Sequence, residues 1–182
     1  RRPTLYAGTA YWYLAADGTD HYGSAPADER WGYCIAPAVP KVKGALEGET
    51  MKILVRTGGT VSIQDMGGFG EAWSNEAHVW WQGGTPGDVL EFALPVTQPA
   101  TRVELQITKA ADYGIAQLSV DGKPLGEPLD AYNDGVIASG IISLELPEPL
   151  QPGDHILRVQ IKGSNPKAIK RHMFGLDYIL LK

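Results

Sequence analysis

Three tryptophans, Trp73, Trp80 and Trp81, fall within nine residues, with Asp65, Glu71, Asn75 and Gln82 close by. Aromatic rings stack on the apolar C–H faces of sugars, while carboxylates and amides take the surrounding hydroxyls. Trp80 and Trp81 are adjacent, so on a strand they point to opposite faces. One enters the core, and the other faces solvent, a groove or an overlying loop. A second set, Asp112, Tyr113, Asp130, Tyr132 and Asn133, lies in two turn-rich segments, KAADYG and DAYNDG. Such residues project from loops at the ends of sheets, where binding groups tend to sit, and equally they make turns. A third set is acidic. Glu47 and Glu49 share one face of a strand by the period-two rule, and Asp177 joins them if the first and last strands of the regular region meet. Carboxylates so clustered either hold a hard cation, for which Ca2+ with oxygen ligands is suited, or form the exposed charge that guards a sheet edge.

No pattern for covalent or metal-assisted catalysis accompanies these sets. The chain has no G-x-S-x-G elbow, and His21, His78, His155 and His172 are dispersed without an H-x-x-x-H pair, which reads as surface or turn histidines. The glycine pairs at 58–59, 67–68 and 83–84 read as turns rather than phosphate-cradling loops. Acidic residues are many, but their spacing selects no acid/base pair. Cys34 has no partner, so there is no internal disulfide, and it reads as a small buried hydrophobe. The chain by itself is therefore expected to be non-catalytic. A self-contained lyase or hydrolase would instead show a groove of convergent carboxylates.

These residues must be positioned by an all-β scaffold. The 182 residues include 22 Gly and 13 Pro, and helical periodicity is almost absent. Thr4–Leu14 (TLYAGTAYWYL) reads as an aromatic strand, and the CIAPAVPKVKG segment as a linker. The chain divides into an extension and linker over 1–43 and a regular domain over 44–182. In the latter, short runs over 44–54, 61–65, 78–82, 88–94, 102–108, 114–120, 141–146, 155–161 and 174–181 alternate or are apolar, and turn residues separate them. Asp121-Gly122 is a hairpin-turn pair. This pattern predicts an antiparallel β-sandwich of the jelly-roll kind. Sixteen basic and 21 acidic residues give a net charge of −5, which argues against a nucleic-acid binder. No apolar run approaches the roughly 18 residues of a membrane-spanning helix. The start at Arg1-Arg2-Pro3, without Met, is expected of a processed protein or a piece of a longer one.

Residues 44–182 resemble the β-sandwich carbohydrate-binding modules of the galactose-binding-like type. The resemblance rests on the opening Leu46-Glu47-Gly48-Glu49, the Asp121-Gly122-Lys123 hairpin, the GDHILRV run from Gly153 and the closing GLDYILL from Gly175. It implies a structural Ca2+ held by Glu47, Glu49 and Asp177. The YAGTAYWY run from Tyr6 resembles the closing strand of the glycoside hydrolase family that includes difructose-anhydride-forming enzymes and arabinofuranosidases. That likeness implies an upstream catalytic domain.

The expected function is a non-catalytic accessory module of a secreted bacterial glycan-degrading protein, extracellular or periplasmic. It would bind a polysaccharide or oligosaccharide by stacking plus loop contacts, without nucleic-acid or membrane partners. The alternative is an assembly module that meets another domain or another copy of the chain in a homo-oligomer. An aromatic AYWYL strand without a sheet of its own favours that alternative.

Overall fold

The computed structural model describes residues 41–182 in full and, before them, the backbone of three short strands. Two compact units result, 1–38 and 39–182. In the first, β1 (Tyr11–Ala15) pairs antiparallel with both β2 (Asp20–Gly23) and β3 (Trp31–Gly32). The aromatic YWYLA strand is thus the centre of its own three-stranded sheet. This corrects the expectation that it lacks one, and with it the argument for docking. Residues 4–10 of the strand expected over Thr4–Leu14, and Cys34, lie outside the described residues.

The second unit is an all-β antiparallel sandwich with jelly-roll character. Its strands are β4 (Leu46–Glu47), β5 (Ile53–Arg56), β6 (Thr60–Asp65), β7 (Ala77–Gln82), β8 (Val89–Val96), β9 (Ala100–Lys109), β10 (Ile115–Val120), β11 (Lys123–Pro124), β12 (Leu129–Asp130), β13 (Ile137–Ala138), β14 (Ile142–Leu150), β15 (Gly153–Gly163) and β16 (Phe174–Leu181). One sheet runs β11-β10-β15-β8-β5, with β12 also on β10. The other runs β13-β9-β16-β7-β6, with β14 also on β9 and β4 on β16. Among the described residues no helix is long and apolar enough to cross a membrane.

The core follows from alternation. Leu90, Phe92 and Leu94 of β8 face Leu157, Val159 and Ile161 of β15 within one sheet, and Val103, Leu105 and Ile107 of β9 close over them from the other. Asp121 and Gly122 have positive φ (48° and 78°) and close β10–β11 with a two-residue loop, the turn that matches the strand twist.

One short run departs from the expected strand. The run expected over 44–54 is split: Leu46–Glu47 forms β4, Gly48–Thr50 form a 3₁₀ turn, and Ile53–Leu54 open β5. The reason is packing against β16. A Cβ on Gly48 would lie 2.2 Å from the Leu176 carbonyl oxygen, so only glycine lets the backbone press this close. Glu49 therefore reaches the acidic cluster from a turn, not from the strand face that carries Glu47.

Candidate functional site

The first candidate is the acidic cluster. Antiparallel pairing sets Glu47 opposite Tyr178, beside Asp177, so the first and last strands of the unit do meet. Glu47 and Asp177 are buried, and Glu49 is half-buried. The covering segment 66–76 and Gln106 of β9 supply their partners. The Ser74 hydroxyl donates to Glu47 Oε1 at 2.9 Å, and the Ser74 N–H to Asp177 Oδ2 at 3.2 Å. Gln106 Nε2 donates to the same Asp177 oxygen at 2.6 Å, and Asn75 Nδ2 to Glu49 Oε1 at 2.9 Å. Each carboxylate thus has one satisfied oxygen. The others, Glu47 Oε2, Glu49 Oε2 and Asp177 Oδ1, are buried without a hydrogen-bond partner.

Burial pushes the Asp177 carboxyl up to about 7, against the hydrogen bonds from Gln106 and Ser74, and the charges of Glu47 and Glu49 add to the rise. Burial also raises Glu47. Three orphaned carboxylate oxygens fit, in donor type, oxygen ligation of a hard cation such as Ca2+. Among the described residues, however, no three His, Cys, Asp or Glu side chains stand grouped as a ready metal cluster. Ligation would have to draw these oxygens together.

The covering segment also fixes a buried histidine. Trp73 Nε1 donates to Thr108 Oγ1 at 2.8 Å, and His78 Nδ1 lies 2.5 Å from the same hydroxyl. His78 Nε2 lies 2.9 Å from Gln64 Oε1, an acceptor, so Nε2 carries the proton and Nδ1 accepts from Thr108. The ring occupies the space that a side chain on Gly175 would fill, since a Cβ there would stand 2.6 Å from His78 Cε1. His78 is thus not the surface or turn histidine that the sequence suggests.

Burial lowers the His78 pKa from 6.5 to about 4. The unfolded chain then binds more protons than the folded one between these values, so stability falls as pH drops from about 6.5 to 4. The loss amounts to about 3 kcal/mol. Urea unfolding at pH 7 and pH 4.5 should show a smaller loss for His78→Gln than for the parent. Equal pH dependence of the two would overturn this assignment.

The second candidate is one end of the sandwich, where three loops interlock. Ala110 N–H donates to Ala131 O (3.0 Å), Asn133 N–H to Ala110 O (3.2 Å) and Ala131 N–H to Gly114 O (3.1 Å). Gly114 N–H reaches Met173 O (2.8 Å), and Ile169 N–H reaches Ala111 O (2.8 Å). Side chains complete the lock: Asn165 Nδ2 donates to Asp130 Oδ2 at 2.6 Å, and Arg171 meets Asp112 at 3.5 Å. Tyr132 and Asn133 are half-buried, and the Tyr132 hydroxyl donates to Asp134.

The predicted stacking residues divide sharply. Trp81 is fully buried, with Nε1 donating to Gly58 O at 2.9 Å, and Trp73 and Tyr113 are also buried. Burial corrects the expectation that Trp73 and Tyr113 present a ring to a ligand, and it makes Trp81 the core member of the Trp80–Trp81 pair. Trp80 lies half-buried on the face opposite Trp81, and its buried Nε1 lacks a partner. The structure brings Asp112, Asp130, Tyr132 and Asn133 together at the loop end, and Glu47, Glu49 and Asp177 in the acidic cluster.

Ser74, Gln106, Thr108, Asn165 and Arg171 were not selected from sequence. Gln106 and Asp177 are 71 residues apart, and no local pattern marks that pair. The basic run around Arg171 was a visible signal.

No protein-family model matches the chain, and no curated protein matches it. Solved structures share its fold. A Paenibacillus xanthan lyase superposes with a TM-score of 0.61 at 24% identity, over 80% of this chain and 14% of that one. The Agl-KA catalytic domain superposes with a TM-score of 0.50 at 15% identity, over 83% of this chain and 30% of that one. A family 6 carbohydrate-binding module matches at 0.49 and 12% identity, over 81% of this chain and 98% of that one. The chain thus corresponds to under a third of the first two. What the first two likenesses establish is the fold: a β-sandwich domain like one that forms part of a xanthan lyase.

Proposed function

We propose that the 39–182 unit is a non-catalytic carbohydrate-binding module of a secreted glycan-degrading protein, working in the extracellular or periplasmic space beside a catalytic domain. The observation that carries this reading is the interlocked loop end. Backbone hydrogen bonds fix its shape, and it presents Tyr132 with Asn133, Asp112 and Asp130 as a rigid polar rim beside a ring. Preorganised loops of this kind bind sugars with little ordering loss, and a half-exposed tyrosine offers the stacking face. The shared fold with part of a xanthan lyase supports the glycan-directed reading. In the same reading Glu47, Glu49 and Asp177 hold a structural Ca2+, which would satisfy their three orphaned oxygens and lock the covering segment to the last strand. Affinity electrophoresis of the full chain through a panel of soluble polysaccharides tests this. At least one should retard the chain, and Tyr132→Ala should abolish the retardation. Retardation by none of them would defeat the proposal.

A second reading, association through a sheet edge, is favoured by β5. Its Ile53, Leu54 and Val55 are each about 40% exposed, on an edge strand that lacks the prolines of β11 and β14. Sedimentation of the full chain against concentration separates this reading from a monomeric module.

A further inference from the structure

The loop end carries a charge pattern that differs from the rest of the chain. The protein is acidic overall, with 21 acidic against 16 basic side chains. Yet the stretch from Lys162 to His172, KGSNPKAIKRH, holds Lys162, Lys167, Lys170 and Arg171 and no acid. This stretch is fastened to the site. Ile169 N–H donates to Ala111 O at 2.8 Å, Met173 N–H to Asp112 O at 3.2 Å, and Asn165 Nδ2 to Asp130 Oδ2 at 2.6 Å.

The acids that face it are already engaged. Asp112 takes Arg171 at 3.5 Å, Asp130 accepts from Asn165 and from the Tyr132 N–H (2.9 Å), and Asp134 accepts from the Tyr132 hydroxyl. The lysines are not. Arg102, Lys123 and Arg158 each sit on a carboxylate, whereas Lys167 and Lys170 form no ion pair among the described residues and are exposed. The Arg171 side chain, 62% exposed, is free to offer its remaining donors. Asp130 and Asp134 are hydrogen-bonded by neutral donors and keep their charge, but the four cations of the stretch outnumber Asp112, Asp130 and Asp134, so this end carries a net positive charge beside a half-exposed tyrosine in a chain that is acidic overall.

We infer that this loop end selects acidic saccharides, with a sugar ring on Tyr132 and a sugar carboxylate at Lys167, Lys170 and Arg171. A guanidinium matches a carboxylate with two parallel hydrogen bonds, and two lysines add attraction that falls with salt. The inference rests on the carbohydrate-binding reading and narrows its ligand class.

The test pairs each acidic polysaccharide with its own neutral form. The full chain is run through gels containing polygalacturonate, alginate or hyaluronate, each native and carboxyl-reduced, with duplex DNA as a further anion. At least one native acid should retard the chain, its carboxyl-reduced form should not, and DNA should not. Lys167→Gln combined with Lys170→Gln should weaken the retardation about tenfold, the worth of one hydrogen bond to a charged group. Lys43→Gln combined with Lys52→Gln, both exposed and before β5, serves as a charge-matched control and should leave it unchanged. Equal melting temperatures of these variants would show that folding is intact. Retardation by neutral polysaccharides, or equally by native and reduced forms, would overturn the inference while leaving carbohydrate binding standing. Retardation by no saccharide would defeat both. DNA retarding the chain as strongly as the acids would overturn the inference in favour of a general anion patch.

Discussion

Trp81→Ala will lower the stability of the sandwich by about 3–5 kcal/mol, the usual range for deleting a buried large aromatic. Trp80, one residue away, will behave in the opposite sense under a milder change. Trp81 is fully buried and its indole N–H is used, donating to Gly58 O at 2.9 Å. Trp81→Phe therefore leaves a cavity and strands a part-buried carbonyl, a loss of about 1–3 kcal/mol. The Trp80 indole N–H is buried without a partner, which is itself unfavourable. Trp80→Phe keeps a ring and removes that donor, so stability should hold or rise. Urea unfolding followed by far-UV circular dichroism reads all three variants. Equal losses for Trp80→Phe and Trp81→Phe would contradict the assignment of faces.

Calcium will raise the melting temperature. At about 100 times its dissociation constant, an ion bound only by the folded state contributes roughly 2.7 kcal/mol. For a chain of this size each kcal/mol moves the midpoint by roughly 2–4 °C, so the rise should be about 5–11 °C. The increment should vanish in chelator and in Asp177→Asn. Without calcium, Asp177→Asn should melt no lower than the parent. The amide keeps an acceptor for Ser74 and Gln106 and removes one of three crowded charges, so only the calcium-dependent part is lost. An identical melt with and without calcium would remove the metal proposal. A large loss for Asp177→Asn in chelator would mean that the carboxylate serves the fold in its own right.

The fold was legible because its signal is local. Strand alternation, the Asp121-Gly122 turn and the spacing of breakers mark the major strands of the sandwich; that Asp177 joins Glu47 depends on the first and last strands meeting, which they do. The departures arise where long-range packing overrides local pattern. Glu49 leaves its strand because Gly48 presses against the Leu176 carbonyl, a contact 128 residues away in sequence. Trp73 looked available because its segment reads as a polar, glycine-rich loop. That loop folds over the sheet, burying Trp73 and Met66, and only the finished sheet supplies the Thr108 hydroxyl that takes the indole N–H. Alternation predicted that Trp80 and Trp81 would split, but the choice between them depended on which face meets Phe92 and Ile161, and periodicity alone is silent on that. His78 looked dispensable because its partners, Gln64 and Thr108, come from two other strands.

Backbone amide shift mapping of the full chain tests the central claim most directly, with oligosaccharides from whichever polysaccharide retards it. The account predicts that the shifting amides concentrate in residues 110–114, 129–139 and 163–173, with the β5 edge and the buried Trp81 strand unmoved. Shifts centred on β5, or none at saturating saccharide, would contradict the assignment of this loop end as a carbohydrate site.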